Sequence, residues 1–233
     1  MTHDVSEHDH DNNGRKVKCL SCGSPYEGFF CFDCHSLLSF SGDMDYFAML
    51  EVEKRPVVDT TRLKENFLKL SENVHPDRYY NSSRDVQELA LKSSSLLNKA
   101  YSTLKDPKER VRYLISLEND REAPVSKHAS AETMEFFIEA SDVCNDIDKF
   151  ARKKGEGENL RQDHLKKLHG LKEETGGRWE GVLREIAALD EEWLTDSGEN
   201  KKTKVRRLIV LSHELSYLSK LQSLIDELIV AIS

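Results

Sequence analysis

Long apolar runs are missing from this chain, and no stretch approaches the roughly 20 residues that cross a bilayer. A membrane-spanning protein is excluded on that ground, and no membrane partner is expected. Aromatic residues are scarce, at 8 % against 33 % charged. That balance excludes a β-sandwich composition and reads as a well-solvated, mostly helical chain long enough for one or two cores. The first dozen residues are acidic and His-rich, with no apolar segment behind them. They resemble neither a secretory signal nor an Arg-rich, acid-poor transit peptide, so a reducing cytoplasm is the expected compartment. A basic excess is also lacking, since the net charge is −8. Nucleic acid is therefore not an expected partner.

Four of the five cysteines that are present crowd into one short stretch, Cys19-x-x-Cys22 and Cys31-x-x-Cys34. Each pair can turn about one ion, and Gly23 supplies the permissive backbone for such a turn. Four thiolates suit one tetrahedral zinc in a closed structural site, and in a reducing compartment this pattern is a metal framework rather than a disulfide one. Residues 19–40 cannot build a core, so the ion supplies most of their folding energy. The Cys-x-x-Cys-His haem-attachment pattern at Cys31–His35 requires export, and a redox Cys-x-x-Cys requires a βαβ setting; neither context is present. Residues 1–18 carry almost no apolar side chains and read as a disordered tail.

Helical periodicity begins near Asp43, which is placed to cap Met44–Leu50. Asp59 is a candidate cap for Thr60–Val74, where Leu63, Phe67, Leu70 and Val74 form an apolar stripe. Pro76 disfavours helical geometry at His75 and ends that helix. A third helix, about Val86–Leu104, puts Leu89, Ser93, Leu97, Ala100 and Leu104 on one face, antiparallel to the second. Asp106-Pro107-Lys108-Glu109 is a helix start with cap, proline and capping-box acid in place. Val111, Leu114 and Leu117 follow at core spacing.

An antiparallel pair with His75-Pro76-Asp77 in its loop, framed by two short helices, resembles a J-domain over residues 43–118. Asp45-Tyr46-Phe47, Asn98–Leu104 and Arg110–Leu117 narrow the resemblance to the HscB family of iron–sulfur co-chaperones, and the preceding tetracysteine module is similar to that of its metazoan-type members. The resemblance implies a non-enzymatic role, in which the loop binds an HscA/DnaK-class chaperone and stimulates ATP hydrolysis on that partner. Pro76 stiffens the loop, Asp77 can take a bidentate bond from a partner arginine, and His75 offers both a donor and an acceptor. Arg62, Lys64, Lys69 and Arg78 are the cations at hand for the same partner. The family usually has a basic helix face ahead of the tripeptide, often with an aromatic directly before the histidine. Here Asn73-Val74 precede it, and Arg62, Glu65, Lys69 and Glu72 alternate in sign. A weak, salt-tolerant encounter is expected.

Residues 119–129, with Pro124, read as a linker, and 130–233 as a three-helix bundle. Phe136, Ala140, Val143, Ile147 and Phe150 make the core stripe of its first helix, which runs from Ser130 to about Lys153, with Cys144 beside it as a small buried hydrophobe. Met134 and Ile138 fall opposite, next to Glu139, Asp142 and Asp146. These acids keep the family's Glu-x2-Glu-x3-Glu spacing on its face for an IscU-type scaffold, so the resemblance carries that role to them. A register displaced by one residue favours Phe137 over Ile138. Leu215–Leu221 resembles the segment that adds an aromatic to the same face, which falls on Tyr217; packing inside the bundle is the alternative. The second bundle helix, about Asn159–Leu194, is either kinked or interrupted at Thr175-Gly176-Gly177, and the third spans Lys201–Ile232. The expectation is an all-α co-chaperone with one structural zinc. Its competitor is a zinc-module sensor of metal or redox state that uses a J-like fold only for protein interaction.

Overall fold

The structure is a computed structural model that describes residues 18, 19, 22–24, 29–31, 33, 36–38, 44–118, 129–152 and 158–233. Asp43, Cys34, nearly all of the tail and nearly all of the linker lie outside these. The helices are α1 (Tyr46–Met49), α2 (Thr60–Val74), α3 (Arg84–Lys105), α4 (Pro107–Glu118), α5 (Ala131–Ala151), α6 (Glu158–Asp190) and α7 (Gly198–Ile232), with a 3-10 turn over Pro76–Tyr79. Two compact units emerge. One holds the described residues up to Val52 with Thr60–Ser102, and the other holds Glu53–Asp59 with Thr103–Ser233.

In the first unit Asp45 caps α1, its carboxylate accepting the Ala48 N–H at 2.9 Å. Asn66 Nδ2 ties α2 to α1 by donating to the Leu50 carbonyl at 2.8 Å. Leu63 and Val74 are fully buried, as expected of the α2 stripe, and Phe67 stacks on Tyr101 of α3 with ring centroids 4.1 Å apart. Ser93, Leu97 and Ala100 are buried on the expected α3 face.

The second unit begins with a strap. Arg55 donates to both carboxylate oxygens of Asp190 at the end of α6, from Nε at 3.1 and 3.0 Å and from Nη2 at 2.5 Å. The Val57 N–H adds a bond to the same carboxylate at 3.0 Å. Asp106 caps α4 through the Glu109 N–H at 2.9 Å, as its sequence predicts. Arg110 is buried and donates to the Pro56 and Leu104 carbonyls at 2.8 and 2.6 Å, so its charge is met by backbone oxygens. Burial pushes the Arg110 guanidinium below its ordinary range. Leu117, expected in the α4 core stripe, is 38 % exposed; Arg110, Val111 and Leu114 fill the buried face instead.

The long helix α7 packs against α4, α5 and α6. Serving three neighbours requires a broad apolar surface, which Val205, Leu208, Ile209, Leu211, Leu215 and Leu218 begin. Helix α6 is continuous through Gly176 and Gly177, with the Thr175 hydroxyl donating back to the Leu171 carbonyl at 2.7 Å. It stops at Asp190 rather than near Leu194. Beyond it Trp193 turns into the core, with the Lys201 ammonium 3.6 Å from its ring centroid.

Candidate functional site

Three clusters carry the candidate residues. The first is the loop after α2. His75 leaves the helix with extended backbone and caps the 3-10 turn, its Nδ1 accepting the Asp77 N–H at 3.3 Å. Pro76 occupies the first position of that turn, where a missing N–H costs nothing. Side chains then brace the loop from both helices. Arg78 Nη1 donates to Asn73 Oδ1 at 3.0 Å and to the Glu72 carbonyl at 3.3 Å, and the Tyr79 hydroxyl donates to the Asn73 carbonyl at 2.9 Å. From α3, Gln87 Nε2 donates to the Tyr80 and Ser82 carbonyls at 2.7 and 3.0 Å. Two of the orphan carbonyls at the end of α2, those of Glu72 and Asn73, are thereby satisfied. Burial raises the Tyr79 phenol above its ordinary value, against a smaller opposing pull from Arg78.

His75 and Asp77 remain presented, their side chains 55 % and 90 % exposed, with Nδ1 3.5 Å from Asp77 Oδ2. A neutral imidazole that accepts at Nδ1 carries its proton on Nε2, which leaves a donor for a partner. The Asp77 carboxylate keeps the acceptors a guanidinium needs. Arg62, Lys64, Glu65, Lys69 and Glu72 are all exposed along α2. Arg78 is exposed too, but its guanidinium is engaged on α2 and holds the loop.

The second cluster lies between α5 and α7. Phe136, Ala140, Cys144 and Ile147 are buried, while Val143 is 37 % exposed. Cys144 takes the core position expected of Val143, because the buried stripe advances four residues from Ala140 rather than three. Burial raises the Cys144 thiol. On the outer side Ile138 is 55 % exposed, Met134 is half-buried, and Glu139, Asp142 and Asp146 are exposed. Phe137 and Tyr217 are both half-buried and meet edge to face, their centroids 4.9 Å apart. Tyr217 is thus brought beside α5 at the edge of this patch. Lys149 donates to Asp146 at 2.9 Å, which holds that carboxyl below the usual carboxylate range.

The third cluster is the thiols. Cys19, Cys22 and Cys31 bring their Sγ atoms within 4.8 Å of one another, Cys22 and Cys31 being 3.4 Å apart. The two halves repeat one backbone turn: Cys19 N–H donates to the Ser24 carbonyl at 2.7 Å and Cys31 N–H to the Ser36 carbonyl at 3.1 Å. Gly23 adopts φ +79°, as the first turn requires. An antiparallel bridge pairs Phe30 with Leu37, and Cys19 and Cys31 are buried with Leu38. Tetrahedral Zn–S bonds of about 2.3 Å place sulfurs roughly 3.8 Å apart. The observed spacing fits a metal ion bound by thiolates.

Sequence reasoning passed over Asn73, Tyr79 and Gln87 as loop braces, and the Arg55–Asp190 strap altogether. Asn73 stands out in the sequence only as the departure before His75. Its amide donates to the Lys69 carbonyl at 3.0 Å and its oxygens receive Arg78 and Tyr79, so the departure has a local structural use. The strap joins residues 135 positions apart, and no local pattern signals it.

Residues 45–113 match the DnaJ domain family. The human iron–sulfur cluster co-chaperone protein HscB is 33 % identical over 105 residues, which cover 43 % of this chain and 45 % of that protein. The mouse protein of the same name is 30 % identical over 131 residues, covering 54 % and 55 %. The chain thus spans about half the length of the curated relatives it matches. In three dimensions the crystal structure of human co-chaperone protein HscB superposes with a TM-score of 0.61 at 21 % identity, covering 91 % of this chain and 98 % of that one, so the two share a fold. The chain thus contains a DnaJ domain with a cysteine cluster ahead of it, and its all-α architecture has the fold of human co-chaperone protein HscB.

Proposed function

We propose that this protein recruits an Hsp70-class chaperone of the HscA/DnaK type through the His75–Asp77 loop, stimulates its ATPase, and presents to it an IscU-type scaffold for iron–sulfur cluster assembly. The carrying observation is the loop: its backbone is tied down by Asn73, Arg78, Tyr79 and Gln87, while His75 and Asp77 stay exposed. A rigid loop loses little entropy on docking, so the two presented side chains act at a fixed angle. Arg62, Lys64 and Lys69 flank it, and the acids Glu65 and Glu72 between them leave α2 with little net field. The scaffold face consists of Met134, Phe137, Ile138, Glu139, Asp142, Asp146 and Tyr217, apolar at its centre and acidic along one edge. Carrying both sites on one chain raises the local concentration of scaffold at the chaperone.

The cysteine module, on this reading, holds one structural zinc through Cys19, Cys22, Cys31 and Cys34. Closed four-thiolate coordination supplies folding energy and leaves no open position for chemistry. Thiolates kept reduced suit a reducing compartment such as the cytoplasm. Protein purified without added metal should contain one equivalent of zinc by elemental analysis; none would remove this part.

His75→Gln tests the main reading. It should abolish stimulation of the chaperone ATPase and leave helix content unchanged, because the side chain is exposed. Stimulation unaltered by that change would return the field to a metal or redox sensor with a J-like fold.

A further inference from the structure

Two adjacent tyrosines follow the tripeptide and are used in opposite ways. Tyr79 turns inward and bonds α2, whereas Tyr80 is 80 % exposed. No large apolar or aromatic side chain among the described residues is more exposed. Single exposed hydrophobic residues are ordinary at a protein surface. Tyr80 differs from them in its footing. Its carbonyl is held by Gln87 at 2.7 Å, its N–H donates to the Asp77 carbonyl at 3.4 Å, and Gln87 also fixes Ser82. The ring therefore projects from anchored backbone three residues after Asp77, on a side chain with only two torsions to restrain. One helical turn beyond Gln87 on the same side of α3, Leu91 is 57 % exposed. The exposed charges of α2, by contrast, nearly cancel: Arg62, Lys64 and Lys69 stand against Glu65 and Glu72, which leaves a net of +1.

From this arrangement we infer that Tyr80 is a docking residue for the same chaperone ATPase, supplying the non-ionic part of an encounter that the α2 face, with a net charge of only +1, drives weakly. The inference rests on the co-chaperone reading. A pre-positioned aromatic is the side chain that most often dominates an interface, since it buries a large area at small entropic cost. The surface it fits on the partner is an apolar recess next to the arginine that takes Asp77. Leu91 forms the edge of the contact, and Gln87 is a positioning residue that acts through the Tyr80 backbone.

The test is a titration of the full-length protein against the Hsp70-class ATPase of the same cell, at low and at physiological salt. Tyr80→Ala and Tyr80→Gln should each raise the concentration for half-maximal stimulation about tenfold with an unchanged plateau, by a similar factor at both salts; Tyr80→Phe should stay within twofold of wild type. A half-maximal concentration within twofold of wild type for both Tyr80→Ala and Tyr80→Gln, while His75→Gln abolishes stimulation, would overturn the inference and leave the co-chaperone reading standing. Full stimulation by His75→Gln would remove both.

Discussion

On the function proposed above, the His75–Asp77 loop and the α5–α7 face present side chains to a partner by different physics. In the loop, position comes from backbone bonds: Asn73, Arg78, Tyr79 and Gln87 satisfy carbonyls on both sides, and the presented residues need no packing of their own. On the bundle face, position comes from helix periodicity. Met134 and Ile138 are opposite a buried stripe that fixes the rotation of α5, and Phe137 is steadied by the ring of Tyr217. The loop therefore depends on a few polar contacts, each replaceable by one mutation, whereas the face depends on a core shared with the rest of the bundle.

The strap at the end of α6 gives the largest expected effect on the bundle side. Asp190→Ala removes the carboxylate from the Arg55 guanidinium and the Val57 N–H, leaving Arg55 only the Asp190 carbonyl and Glu53, and should cost about 2–3 kcal/mol in denaturant unfolding, as loss of a charge-assisted, partly buried network does. A loss below about 1 kcal/mol would mean that the strap is a surface pair and that packing alone holds the segment. On the outer face, Met134→Ala with Ile138→Ala should weaken scaffold binding by about tenfold while stimulation of the ATPase by the protein alone stays at its wild-type level, measured by calorimetry and by phosphate release. Equal loss in both assays would break the division between the two regions.

Smaller effects sharpen the contrast. Tyr79→Phe removes the bond to Asn73 and should cost about 1 kcal/mol of stability, visible as a lowered denaturation midpoint. Smallest is Lys172→Ala. Lys172 Nζ lies 2.7 Å from Asp226 and holds its carboxyl below the usual carboxylate range, in a half-exposed pair. A carboxyl with a depressed folded pKa stabilises the fold above its unfolded value of about 3.9 and loses that contribution as the pH falls through the lower folded value. The variant should therefore cost less than about 1 kcal/mol at neutral pH and match wild type in strong acid, by thermal scans across that range.

Much of this was legible because it is local. The α2 boundaries, the Asp106 cap and the buried face of α3 follow from proline geometry, capping and 3.6-residue periodicity. The tripeptide was legible as a motif, and its setting followed from the helices around it. What escaped is non-local or degenerate. Cys144 and Val143 differ by one position on a stripe wide enough for either, and only the packing of α5 decides between them. Continuity of α6 through Gly176 and Gly177 is imposed by the neighbouring α7, since glycine propensity argues the other way. The strap between Arg55 and Asp190 exists only once the chain has folded.

The central claim is that the loop and the α5–α7 face are separable sites on one co-chaperone. Titrating an IscU-type scaffold into His75→Gln protein, already shown to have lost ATPase stimulation, tests it most directly. The account predicts a scaffold Kd within twofold of wild type. A tenfold or greater weakening would contradict it, because a change confined to an exposed loop side chain would then have reached a face held by the core of another unit.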